Sequence, residues 1–165
     1  MALRSDWSGK ACPMARGIHV LGDPWVLLVL RELFAGATRF DELRDRTGAA
    51  DNVLTKRLAD MVEAGLIVRE AYREGPRPRY DYRLTEAGAD ALPVLHAYAL
   101  WAEKHDPPAE ASGRLRVICR SCGQQSTQGE SCSSCGVPLT TDNAAWVRPG
   151  STSATPRPLS GPVGS

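Results

Sequence analysis

Residues 38–84 read TRFDELRDRTGAADNVLTKRLADMVEAGLIVREAYREGPRPRYDYRL, and their punctuation divides them into four pieces. Thr38 caps a short helix, with Asp41 three residues on as its capping-box partner, and this helix buries Phe40 and Leu43. A break follows at Thr47-Gly48-Ala49. A longer helix then runs over 51–64 and stops at Gly65. Its Leu54, Leu58, Met61 and Val62 recur at i, i+4, i+7 and i+8 and form one apolar face. Asn52, Thr55, Lys56 and Asp60 fall on the opposite face. Two strands over 66–72 and 80–84 flank a tip, residues 73–79, that holds Arg73, Arg77 and Arg79. Pro76 and Pro78 cannot donate ladder hydrogen bonds, so the tip projects from its sheet.

Short helix, glycine-containing turn, longer helix, then a hairpin with a basic tip is the order of a winged helix-turn-helix. The predicted fold class is mainly α with a small β-hairpin wing. A helix about 10–12 Å across fits the major groove of B-DNA, which is about 12 Å wide. Asn52, Thr55 and Lys56 suit base edges, and the wing arginines suit phosphates or the minor groove. The candidate DNA-binding set is Arg39, Asn52, Thr55, Lys56, Arg57, Arg73, Arg77 and Arg79. A solvated helix face beside an ordinary charged hairpin is the bland alternative; the order of the four pieces favours DNA.

Working outward, a first helix is expected over 13–21, ended by Gly22-Asp23-Pro24. Asp23 is a good N-cap and Pro24 suits the first helical position of the next helix. That helix carries Trp25, Val26, Val29, Leu30 and Leu33 on a broad stripe and ends at Gly36. On the other side, Thr85 caps a last helix reaching about Lys104, with Pro93 kinking it. Leu92, Leu95, Ala99 and Ala102 form one seam of this helix, and Val94, Tyr98, Trp101 and His105 a neighbouring one. Two apolar seams need two surfaces to cover them, which points to dimerisation; packing within one subunit is the alternative.

The chain has 165 residues, 42% hydrophobic and 24% charged, with a net charge of +1. This is the balance of a globular protein with one ordinary domain and a small appendage. Residues 1–105 hold 15 Lys and Arg against 15 Asp and Glu, so any DNA surface must come from charge placement. No apolar run reaches the roughly 20 residues of a membrane span, and no signal-like apolar segment opens the chain, so a cytoplasmic protein is expected. The domain expectations are a flexible arm at 1–10, the winged helix at 11–105 and a linker at 106–113. A zinc ribbon at 114–146 and a disordered Pro/Gly/Ser/Thr tail at 147–165 complete them.

Cys119, Cys122, Cys132 and Cys135 form two CxxC pairs nine residues apart. Each pair can place two thiolates on one tetrahedral ion, with Zn–S near 2.3 Å. Gly123 and Gly136, each following a second cysteine, let the knuckle turn and aim N–H groups at sulfur. The segment is too poor in apolar residues to fold alone, so metal binding would supply its folding free energy. Structural Zn2+ is the predicted cofactor, with an iron–sulfur cluster or a redox disulfide pair as alternatives. Arg114, Arg116 and Arg120 enter the segment with no acid nearby, and suit DNA flanks, a partner protein or plain solvent equally. Catalysis is not expected: there is no HExxH, no Gly-rich phosphate loop and no Ser/His/Asp ordering. His19, His96 and His105 read as helix-face residues.

Several of these stretches, in this order, resemble the HxlR-type winged-helix regulators. They are Cys12-Pro13, Gly22-Asp23-Pro24-Trp25, Arg39-Phe40-Asp41-Glu42-Leu43, Leu54-Thr55-Lys56-Arg57-Leu58, Glu63-Ala64-Gly65-Leu66 and 80–88, YDYRLTEAG. The likeness covers about residues 11–105. It implies a transcription regulator, a repressor by expectation, that forms a homodimer through its first and last helices. It implies one recognition helix per half-site of a roughly palindromic operator. One departure is Ala50, where the family usually has a serine that caps the recognition helix; capping then falls to Asp51 or the backbone. In family members that sense oxidants, quinones or aldehydes, a cysteine at the position of Cys12 is the reactive thiol. Cys12 opens the first helix, where the helix dipole favours a thiolate, and Lys10 and Arg16 lie close in sequence. A protein-interaction adaptor, docking through winged helix and ribbon, is the competing function.

Overall fold

The computed structural model describes residues 6–73, 76, 78–109, 114–150 and 154–164, with Arg73 described by its backbone alone. They fall into two units. The first comprises residues up to Leu33 together with Ala37–Thr85, and the second Phe34–Gly36 with Glu86–Ser165.

The first unit holds α1 (Pro13–Leu21), all of α2 (Pro24–Phe34) but its last residue, α3 (Phe40–Thr47) and α4 (Asp51–Glu63). It also holds the antiparallel pair β1 (Ile67–Arg73) and β2 (Arg79–Leu84). The N-cap reading of α2 holds: Asp23 Oδ1 accepts the Trp25 N–H at 2.9 Å. The cap of α3 differs from expectation. Arg39, not Thr38, is the N-cap residue, and Glu42, not Asp41, reaches back. Its Oε2 accepts the N–H groups of Thr38 at 3.0 Å and Arg39 at 3.2 Å. Glu has the extra methylene needed to span that turn, and the two N–H bonds hold its carboxyl below the usual range. Val29, Leu30, Leu43, Leu54, Leu58, Met61, Ile67 and Leu84 are buried as the core. The hairpin is anchored to α3, because Tyr82 N–H donates to Thr38 O at 2.7 Å and Arg39 bridges Asp81.

In the second unit, the expected kinked last helix is two helices, α5 (Glu86–Ala89) and α6 (Leu92–His105). Pro93 sits in the first turn of α6, where its missing N–H costs nothing, so it starts a helix and does not bend one. These helices group with the cysteine segment, whereas the sequence reading grouped them with the winged helix. The segment forms a four-stranded sheet of order β4-β3-β5-β6. Its strands are β3 (Arg116–Cys119), β4 (Gln125–Ser126), β5 (Ala144–Val147) and β6 (Arg157–Pro158). The expectation of a disordered tail from residue 147 fails at two places. Val147 closes β5, and β6 adds to the sheet edge by pairing Trp146 with Arg157. Leu159 is buried and the Ser160 N–H donates to Phe34 O at 2.9 Å, giving the tail an apolar anchor that composition had hidden.

Val117, Cys119, Trp146, Leu159, Phe34, Leu92, Leu95 and His96 are among the buried residues of this unit, and the Trp146 ring stands edge-on to Phe34 at 6.0 Å and to His96 at 5.8 Å. Among the described residues no helix is long and apolar enough to cross a membrane.

Candidate nucleic-acid interface and four-cysteine centre

The turn before α4 is closed by Gly48 at φ +72°, a left-handed conformation that favours glycine. Ala50 then occupies the N-cap with no side-chain cap bond, leaving Asp51 as the acid of the first turn. Leu54, Leu58 and Met61 are buried, which turns Asn52, Thr55 and Lys56 outward, all exposed. Thr55 Oγ1 donates to Asp51 O at 2.7 Å and keeps lone pairs for an incoming donor. Lys56 is 68% exposed and rests against Asp60 at 3.2 Å, a surface pair that a phosphate or base edge can displace at little cost.

Arg57 is placed otherwise. Three residues after Leu54 and four before Met61, it lies on the border of the buried stripe, and its side chain is only 16% exposed. Its guanidinium spans Asp23 at 2.8 Å and Asp60 at 3.0 Å, tying α2 to α4. It holds the helix in place and does not stand on the open face.

On the wing, Arg39 stacks over the Tyr72 ring at 4.8 Å and pairs with Asp81 at 3.7 Å, while Arg79 pairs with Asp41 at 3.6 Å. Both remain more than half exposed. Arg77 and the Arg73 side chain lie outside the described residues. Sequence reasoning passed over Arg69, which is exposed in β1 and lies over the Tyr80 ring at 4.9 Å. Its place in a strand among alternating side chains was the available signal.

The four cysteines converge. Their sulfurs all lie within 4.8 Å of one another, Cys119–Cys135 at 3.8 Å and Cys122–Cys132 at 3.7 Å. A tetrahedral ion with Zn–S near 2.3 Å requires S···S edges of about 3.8 Å, so the donor set fits zinc. A disulfide needs about 2.05 Å. Each CxxC closes a tight turn: Gly123 N–H donates to Cys119 O at 2.8 Å and Gly136 N–H to Cys132 O at 2.9 Å. Both glycines have positive φ, +74° and +77°. N–H groups of Cys135 and Ser134 pull the Cys132 thiol down to about 6. The nine-residue spacer is organised by Ser126, fully buried, whose Oγ accepts the N–H groups of Gln128 and Ser133 at 3.2 Å. Nothing in the sequence marked that serine.

His96 is also not the helix-face residue expected. It is fully buried; its Nδ1 lies 2.9 Å from Gly129 O, and its Nε2 accepts the Trp146 Nε1–H at 2.9 Å. With Nε2 accepting, Nδ1 must carry the proton and donate, which fixes the neutral tautomer. Burial pushes its pKa down. Cys12 is exposed at the N-cap of α1.

An exposed polar face on the second helix of a helix-turn-helix, beside a hairpin wing, defines a DNA-binding transcription regulator. The model of the HxlR-like helix-turn-helix family matches residues 20–110, and this chain belongs to that family. The uncharacterized HTH-type transcriptional regulator Rv3095 of Mycobacterium tuberculosis is 33% identical over 130 residues, 79% of this chain and 81% of its own. An alignment covering that much of 165 residues reaches at least residue 130, past the end of the family match. The crystal structure of PA1607 superposes with a TM-score of 0.66 at 34% identity, covering 80% of this chain and 91% of that one. The redox regulator HypR in its oxidized form matches 57% of this chain and 97% of its own, at 28% identity and a TM-score of 0.52.

Proposed function

We propose that the chain is a homodimeric repressor that reads a pseudo-palindromic operator, one α4 per half-site. The observation that carries this is the division of α4, with Leu54, Leu58 and Met61 buried and Asn52, Thr55 and Lys56 exposed together. Asn52, Thr55 and Lys56 contact base edges; Arg39, Arg73, Arg77 and Arg79 contact phosphates or the minor groove. Arg57 serves by positioning α4 through Asp23 and Asp60. The dimer uses the apolar residues exposed on α1 and α6, Met14 and Ile18 on one and Tyr98 and Trp101 on the other. The repressor works in the cytoplasm and has no catalytic role.

The ribbon is held by one structural Zn2+ on Cys119, Cys122, Cys132 and Cys135, a closed donor set with no place left for substrate. Cys12 is the thiol we assign to oxidant or electrophile sensing, a reading supported by its exposure and by the likeness to a redox regulator. Mass spectrometry after quinone treatment tests it; an unmodified Cys12 with unchanged DNA binding removes the assignment.

The deciding experiment is a gel shift on DNA upstream of the chain's own gene, at two salt concentrations. Nanomolar binding that weakens steeply with salt is expected. Lys56→Ala should cost about 1–3 kcal/mol of operator affinity. Wild-type protein that ignores every upstream fragment, metal-loaded and reduced, would refute the reading.

A further inference from the structure

A cleft of about 350 Å³ lies where α5 and the start of α6 meet the loops of the ribbon, and the residues that line it all belong to the second unit. Its lining divides by chemistry. Leu92 and Leu139 are buried and, with Ala89 and prolines 93, 138 and 162, form the apolar part. Four carboxylates join them: Glu86 and Asp90 from α5 and the residue after it, Glu130 and Asp142 from the ribbon. Among the described residues no lysine, arginine or histidine lines the cleft. All four acids are exposed, and none has a basic partner among the described residues.

The backbone accounts for this gathering. Asp90 N–H donates to Glu86 O at 2.9 Å, which places the two acids one helical turn apart on one face. Leu139 N–H donates to Glu130 O at 2.8 Å, so the apolar lining and an acid come from paired residues. Asp142 N–H turns back onto Thr140 Oγ1 at 3.3 Å. Thr141, between them, distinguishes the cleft from a solvated acidic patch. It is only 7% exposed, and its hydroxyl has no hydrogen-bond partner among the described residues. Among those residues the sealed side-chain atoms without a partner are Arg57 Nε and Glu103 Oε2 alone. The Thr141 hydroxyl is therefore unpaired but not sealed, and the space that Thr141 lines is this cleft.

We propose that the cleft binds an aliphatic di- or polyamine. Its ammonium groups would pair with Glu86 and Asp90 and with Glu130 and Asp142, one N–H donating to Thr141 Oγ1. Its methylenes would lie on Leu92, Leu139 and the prolines. The volume is that of a small-molecule site. A single metal ion fits less well, because among the described residues the four cysteines are the only group of donors close enough to share one. Carboxylates spread over two segments, with apolar surface among them, suit charge spread along a flexible chain. The proposal does not rest on DNA binding by α4.

The test is isothermal titration calorimetry on the full zinc-loaded chain, with spermidine as the probe and butylamine and Mg2+ at equal ionic strength as controls. Spermidine should bind saturably, one molecule per chain, and more tightly than either control. Thr141→Val keeps the side-chain shape and removes the hydroxyl, and should weaken binding about tenfold, the worth of one hydrogen bond from a charged donor. Glu86→Gln/Asp90→Asn should weaken it about fivefold, as expected for two exposed ion pairs. Absence of saturable binding would overturn the proposal, as would wild-type affinity in either folded variant. Equal binding of Mg2+ or butylamine would reduce the cleft to general attraction of cations and overturn it too. A tetralysine peptide that binds more tightly and displaces spermidine would overturn it in favour of a basic protein segment. If Thr141→Val fails to fold, the acid pair decides alone, since both of its residues are exposed.

Discussion

Replacing His96 with phenylalanine tests how the last helix and the ribbon are held together. The ring volume is kept, and so is the edge-on packing against Trp146, now at 5.8 Å. What goes are the hydrogen bonds at 2.9 Å to Gly129 O and from Trp146 Nε1–H. Trp146 is 3% exposed, so its indole N–H is left buried without an acceptor, at about 1–3 kcal/mol. Gly129 is half-buried and water can reach its carbonyl, so the total should be about 2–4 kcal/mol. The pH dependence is the sharper test. The neutral ring has an acceptor at Nε2; a protonated ring has none and would set N–H against N–H. The folded pKa of His96 lies below 6.5, so the unfolded chain takes up the proton more readily. The stability that neutral His96 gives is present above pH 6.5 and is lost as pH falls through the folded pKa. Urea unfolding of wild type and His96→Phe, followed by tryptophan emission at pH 7.5 and 5.5, should show the gap between them narrowing in acid. A gap of the same size at both pH values would refute the assignment of a neutral, doubly bonded His96.

Gly129→Ala should destabilise the same contact by about 1–3 kcal/mol in the same assay, because its new Cβ would stand 2.8 Å from the His96 Cβ and 3.3 Å from the Ala97 nitrogen. Cys132→Ser should drop zinc from one ion per chain to none by elemental analysis, and Co2+ added to it should lose the absorption bands of a tetrahedral thiolate site. Trp101→Asp, at a position 63% exposed on α6, should raise the dimer dissociation constant by thirtyfold or more, about 2 kcal/mol, in analytical ultracentrifugation. An unchanged sedimentation profile would exclude that helix from the interface.

The helix-turn-helix was legible because its signals are local. Leu54, Leu58 and Met61 mark a 3.6-residue period, Gly48 and Gly65 mark the ends, and the prolines confine the hairpin. The cysteine centre was legible for a related reason: CxxC fixes two ligands within one turn. Non-local contacts were not legible. His96 shares a helix with solvent-facing residues, and only Trp146, fifty residues away, makes it a buried acceptor. Leu159 sits among prolines and glycines, and nothing near it in sequence reveals that it is buried. Arg57 looks like its neighbour Lys56 in sequence, yet one residue of rotation, 100° around the helix, moves it to Asp23.

Gly129 lies inside the nine residues between the two CxxC pairs, so the loop that touches α6 is held at both ends by the turns that bring the four sulfurs together. The inner side of α6 carries His96 and its outer side Tyr98 and Trp101. Opening the cluster of four sulfurs would therefore be felt on the helix that carries Tyr98 and Trp101, making the cysteine quartet a brace for the aromatic surface.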